Sequence, residues 1–114
     1  MAHYFVTGAS SGIGAALAKQ LTAAGHQVSA VARRQQRLAA LSKQLNAFHG
    51  YVADVADAAG LTDAIRKAKA KSGAIDVAIL NAGIYQPQDG TKIDPQTYAN
   101  HMAINYLGVV NALA

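Results

Sequence analysis

The sequence predicts an α/β domain built on a parallel sheet, and three observations carry that prediction. Short apolar runs alternate with longer stretches in which leucine, isoleucine and alanine recur at helical spacing, the order expected of successive strand-helix units. The runs are continuous stretches of Val and Ala rather than clean alternations, as suits strands covered on both faces. The first run ends in Thr7-Gly8-Ala9-Ser10-Ser11-Gly12-Ile13-Gly14, a glycine-rich turn between a strand and a helix.

His3 to Val6 is the first β-prone run, and Ile13, Leu17 and Leu21 give the helix that follows its period. Gly25 is the expected C-cap of that helix, and Gln27 to Ala32 the second strand. Leu38, Leu41 and Leu45 share one face of the next helix, and His49 to Ala53 is the third strand, ending in Asp54-Val55. Asp57 precedes a helical run whose apolar stripe is Leu61, Ala64, Ile65 and Ala68. Ile75 to Leu80 is the fourth strand, and it runs into Asn81-Ala82-Gly83. Tyr85 to Lys92, with Pro87 and Gly90, reads as a loop, after which Asp94 and Pro95 signal an N-cap and first turn. On the last helix Tyr98, Met102, Asn105, Tyr106, Val109 and Leu113 fall on one face, so Asn105 interrupts an apolar stripe. A buried amide left without a partner costs roughly 1–3 kcal/mol, so an inward-facing Asn105 needs a reason to be there.

The glycine turn has the composition of a phosphate grip. Glycine lets the backbone approach a pyrophosphate and lets the helix pack close to the strand, while free N–H groups at the helix start favour an anion. Gly8 and Gly12 are separated by three residues, and TGASSGIG resembles the cofactor loop of the short-chain dehydrogenases/reductases, whose pattern is TGxxxGxG. The resemblance implies a Rossmann-like, doubly wound sheet of order 3-2-1-4 and a nicotinamide dinucleotide held by Gly8, Ser10, Ser11, Gly12, Ile13 and Gly14. The same residues also fit the G-x-S-x-G elbow of α/β-hydrolases, which would make Ser10 a nucleophile. That reading has only seven residues before the turn from which to build an oxyanion hole.

The remaining site residues follow the strands. The second strand ends in Arg33-Arg34, where many dinucleotide-binding proteins place an acidic residue for the ribose 2′-hydroxyl. An arginine pair suits a 2′-phosphate instead, so the cofactor is expected to be NADP(H). The resemblance implies that Asp54 and Val55 contact the adenine, and that Asn81, Ala82 and Gly83 form the NAG motif beside the nicotinamide ribose. Asn81 is also suited to tying neighbouring strands together through its amide. Asn105-Tyr106-Leu107-Gly108 resembles the family's N-x-x-G, whose Asn helps position the active-site lysine, which makes Asn105 the one catalytic candidate.

The family's chemistry further needs a Ser and a Tyr-x-x-x-Lys pair. Four residues after Tyr4, Tyr51, Tyr85, Tyr98 and Tyr106 stand Gly8, Val55, Asp89, Met102 and Val110, so no such pair occurs here. The chain reads as the first half of the domain, about four βα units, in which the fourth strand is an open edge and the last helix shows an apolar face. Such surfaces invite association, and a homo-oligomer is expected. By itself the chain is expected not to turn over. In the complete enzyme hydride would pass between nicotinamide and a small carbonyl or alcohol. The alternative is a non-catalytic dinucleotide-binding or interaction module.

Composition sets the outer bounds. With 114 residues there is room for one domain, and 52% hydrophobic against 14% charged residues argues for a folded chain. No apolar run reaches the ~20 residues of a membrane span, and no basic leader precedes the first strand, so a cytoplasmic protein is expected. The net charge of +4 comes largely from Arg33/Arg34/Arg37 and Arg66/Lys67/Lys69/Lys71, neither interleaved with aromatics. The second group lies on the polar face of an amphipathic helix, so no nucleic-acid partner is expected. The four histidines form no i, i+3 or i+4 pair and the chain has no glutamate, so no metal site is expected.

Overall fold

The computed structural model describes residues 2–9, 12–81, 91 and 94–113. Four parallel strands form one sheet of order β3-β2-β1-β4, with β1 at His3–Thr7, β2 at Gln27–Ala32, β3 at Phe48–Val52 and β4 at Val77–Leu80. Helices α1 (Gly12–Ala23), α2 (Gln35–Gln44) and α3 (Ala58–Ser72) connect them. The sequence reading places β2 on its observed bounds. It sets β3 one residue late, passing over the buried Phe48, and starts β4 two residues early. Asp76, just before β4, spends its carboxylate on the His3 N–H (2.8 Å) while its own N–H donates to the His3 carbonyl (2.9 Å).

Because side chains alternate across a strand, the sheet carries two cores. Val6, Val28, Ala30, Ala32 and Phe48 pack with Ala18, Leu38 and Leu41 on the α1/α2 side. Phe5 and Val31 pack with Leu61, Ala64, Ala68 and Val55 on the α3 side. The predicted stripe of α3 is therefore its buried face, with Ile65 half-buried, whereas the stripe of α1 is rotated. Gly14 and Ala18 are the buried residues of α1, Leu17 and Leu21 are half-buried, and Ile13 is 71% exposed.

The helix ends follow their sequence signals. At the end of α1 the Gly25 N–H donates to Thr22 O and the His26 N–H to Leu21 O, both at 3.1 Å, the paired bonds of a Schellman motif with Gly25 at φ +91°. Asp57 caps α3 by accepting from the Gly60 N–H. Asp94 caps α4 (Pro95–His101) by accepting from the Gln96 N–H, with Pro95 in the first turn. A π-helical stretch, Met102–Leu107, then leads into α5 (Gly108–Leu113).

The amino-terminal ends of the strands are fastened by a buried histidine. His3 Nδ1 lies 3.0 Å from the Gly73 carbonyl and 3.3 Å from the Ala74 carbonyl, so it carries the proton and donates. Nε2 is then free to accept from the fully buried Ser29 hydroxyl at 2.7 Å. His49, paired in register with Ser29, has its pKa lowered from the ordinary 6.5, first by burial and then by the charge of Lys71. Above pH 6.5 both folded and unfolded chains hold His49 neutral, and as the pH falls below 6.5 the unfolded chain takes the proton first. Stability contributed by His49 is thus present above its unfolded pKa and lost as the pH falls from there through the lower folded pKa. Melting temperature is expected to decline from pH 7 to pH 5, and His49→Gln to reduce that decline; an identical decline in the variant would assign it elsewhere.

Candidate functional site

In a parallel sheet every strand delivers its successor residues to the same edge. Here the ends of β1, β2, β3 and β4 bring together Gly8, Arg33 and Arg34, Asp54 and Val55, and Asn81. The strand order places the turn after β1 between β2 and β4, so connections leave in opposite directions on its two sides. This is the switch point at which open α/β sheets bind ligands.

Two glycines of the turn are required by backbone conformation and one by space. Gly8 and Gly12 have φ of +67° and +61°, in the left-handed region. Around Gly12 a Cβ would meet nothing within 4 Å, so only its conformation demands glycine. A Cβ on the buried Gly14 would stand 2.2 Å from the Gly8 carbonyl oxygen and 2.9 Å from Ala9 Cα. Gly14 therefore lets the first turn of α1 seat directly on the backbone leaving β1. The Gly8 N–H is used by Val31 O (2.9 Å), which extends the β1-β2 ladder into the turn. Asn81 Nδ2 reaches the Gly8 carbonyl at 3.5 Å, a long contact that links the end of β4 to the same peptide.

Arg33 and Arg34 follow β2 and are both exposed, and among the described residues neither is in an ion pair. Arg34 also forms one wall of a shallow hollow with Gln35, Gln36 and Arg37 at the start of α2. On the next strand end, Asp54 is half-buried and partly committed to its own turn: Oδ1 accepts from the Ala56 N–H (2.9 Å) and its carbonyl from the Asp57 N–H (2.8 Å). The second carboxylate oxygen is not used by those bonds. Val55 is buried against the α3 core. Ile13 stands exposed in the first turn of α1. Ser10, Ser11, Ala82 and Gly83 lie outside the described residues, as does most of the expected loop over 85–92.

The last helix corrects the sequence reading. Most of its large apolar residues do not face the sheet: Tyr98, Met102, Tyr106 and Leu113 are exposed, Leu113 at 73%, and Asn105 is exposed with them. The side that packs is made of Ile104 and, beyond it, small residues. Gly108 is buried so close to Val55 that a Cβ there would lie 2.6 Å from Val55 Cγ2, and Ile104 and Ala112 join the α3-side core. The polar residue on that inward side is Asn111, whose Nδ2 donates to the Val55 carbonyl at 2.9 Å. Sequence reasoning missed Asn111 because it looked for the inward face among the bulkiest side chains. The spacing of Ile104, Gly108, Asn111 and Ala112 was a legible signal for a close-packed face.

Comparison with known proteins extends over the whole of this architecture. The profile of the short chain dehydrogenase family matches residues 2–114. The 3-dehydrosphinganine reductase TSC10A of Arabidopsis thaliana is 35% identical over 116 residues, covering 97% of this chain and 34% of the plant protein. A probable NADP-dependent dehydrogenase of Dichelobacter nodosus is 46% identical over 80 residues, 69% of this chain and 76% of the relative. Among solved structures, a 3-ketoacyl-(acyl-carrier-protein) reductase from Brucella melitensis, complexed with NADH, superposes with a TM-score of 0.93 at 27% identity, over 98% of this chain and 47% of its own. The chain thus spans about a third of the plant reductase and about half of the bacterial one.

Proposed function

From the premise that this chain belongs to the short-chain dehydrogenase family, we propose that it is the NADP(H)-binding part of an oxidoreductase that moves hydride between nicotinamide and a carbonyl or alcohol. The observation that carries the reading is the row of strand ends: a glycine turn seated under α1, then two exposed arginines, then Asp54-Val55, all on one edge of the sheet. These residues fit a dinucleotide. Gly8, Gly12 and Gly14, with Ser10, Ser11 and Ile13, would hold the pyrophosphate at the start of α1, where the helix N-terminus favours negative charge. Arg33 would take the 2′-phosphate with Arg34 as its helper, Asp54 and Val55 the adenine, and Asn81, Ala82 and Gly83 the nicotinamide ribose. When bound, the cofactor supplies the hydride.

Asn105 is assigned to catalysis and lies in the π-helical stretch, a local widening of the helix that is frequent at functional sites. In the complete enzyme Asn105→Ala is expected to lower turnover strongly while leaving cofactor affinity nearly unchanged, which steady-state kinetics beside NADPH titration would measure. A parallel loss of both would make it a cofactor residue. The chain by itself, without a Tyr-x-x-x-Lys pair, is expected to bind but not to turn over.

The exposed apolar face of the last helix supports a further part of the proposal, a homo-oligomer. The reading as a whole is tested by titrating the chain with NADPH and NADH. Tight NADPH binding with weak NADH binding is expected, and binding of neither would overturn it.

A further inference from the structure

Val55 is held from two sides, and only one of them belongs to its own strand end. Within the turn, the Asp54 carboxylate takes the Ala56 N–H and the Asp54 carbonyl takes the Asp57 N–H. From across the domain, 56 residues along the chain, Asn111 donates its amide to the Val55 carbonyl at 2.9 Å. One helical turn earlier Gly108 is pressed against the Val55 side chain, and Ile104 and Ala112 complete the packing around it. The peptide groups on either side of Val55 are thereby fixed, and the donor that these bonds leave unused is the Val55 N–H.

We infer that Asn111 is a positioning residue for the adenine end of the nucleotide site, setting the Asp54-Val55 turn so that the Val55 N–H faces the ligand. The inference rests on the dinucleotide reading given above. Asn111 touches no ligand itself. A carbonyl that accepts from Asn111 has its peptide plane set from outside the turn, and the plane between Val55 and Ala56 limits how Val55 can rotate. An asparagine is suited to this because the site is an apolar stripe: a leucine there would leave the Val55 carbonyl without its partner, and a charged residue would have to be desolvated.

The test replaces Asn111 with Leu, which keeps the size and removes the donor without adding a charge. Adenosine 2′,5′-bisphosphate, the adenine half of NADP, and nicotinamide mononucleotide, the other half, are titrated separately into the full chain and its variant. Affinity for the bisphosphate is expected to fall about three- to tenfold in Asn111→Leu with nicotinamide mononucleotide unaffected, and Asn111→Gln, which keeps the amide donor, to recover part of the loss. Equal loss for both halves would make Asn111 a purely structural residue and overturn the inference. Unchanged bisphosphate affinity overturns it as well, while leaving the dinucleotide reading standing. A wild-type chain that binds neither half overturns that reading and this inference together. Should Asn111→Leu not fold, Asn111→Ser is titrated in its place, with the same expected and overturning results.

Discussion

Gly14→Ala is expected to abolish nucleotide binding and to destabilise the fold, whereas Gly12→Ala should do much less. The two glycines are two residues apart in the same motif, and the difference lies in what a methyl group would meet. At Gly14 it would stand 2.2 Å from a backbone oxygen and 2.9 Å from a backbone carbon, and backbone cannot rotate out of the way as a side chain can. The first turn of α1 would have to lift off the turn that follows β1. Overpacking of this kind costs roughly 1–3 kcal/mol in stability, and a shifted helix N-terminus no longer directs its N–H groups at the pyrophosphate. At Gly12 a methyl group meets nothing within 4 Å, so the penalty is the conformational one for a positive φ, about 1–2 kcal/mol. Melting curves and NADPH titrations of the two variants side by side measure this. Retention of wild-type affinity in Gly14→Ala would mean that the turn relaxes and that close seating is not needed for binding.

Arg33→Ala is expected to erase the preference between the two nicotinamide cofactors. A guanidinium opposite a 2′-phosphate makes charge-assisted hydrogen bonds that a 2′-hydroxyl cannot match, and a difference on the order of tenfold to a hundredfold follows. Both arginines are exposed and outside any ion pair among the described residues, so no existing partner must be given up when a phosphate arrives. NADPH affinity should fall in the variant while NADH affinity stays nearly constant. Ala32→Asp should move the preference towards NADH, because a carboxylate at the end of β2 accepts from the ribose hydroxyls and repels the phosphate. Equal loss of both cofactors in Arg33→Ala would show that the side chain supports the turn after β2 rather than the phosphate.

The strands and the sheet order were readable because apolar runs and helical stripes here agree with the packing they produce. Gln27 to Ala32 is buried over nearly its full length, and the α3 stripe of Leu61, Ala64 and Ala68 is the buried face. The last helix was harder for a physical reason. Hydrophobicity marks a face that wants cover but not which neighbour covers it, and here the domain's own contact is made by Ile104 with Gly108 and Ala112, the last two of value for how little space they take. His3 was hidden in a similar way. A histidine at the start of a strand carries no signal of burial, and its partners, Ser29 and the Gly73 and Ala74 carbonyls, are distant in sequence.

That histidine also bears on the order in which the sheet can assemble. It bonds to Ser29, 26 residues away, and its strand edge bonds to Asp76, 73 residues away. Loop-closure entropy rises with the logarithm of length, so joining the more distant pair costs about 0.9 kcal/mol more than joining the nearer one. The pairing of β1 with β2 is the local event, and the arrival of β4 on the other edge of β1 is the non-local one, which slows a folding reaction. The loop at Gly73 and Ala74 delivers β4, and His3 grips its carbonyls, so the ring that bonds to β2 also secures the late strand. A single side chain thus joins the early half of the sheet to the half that must travel furthest.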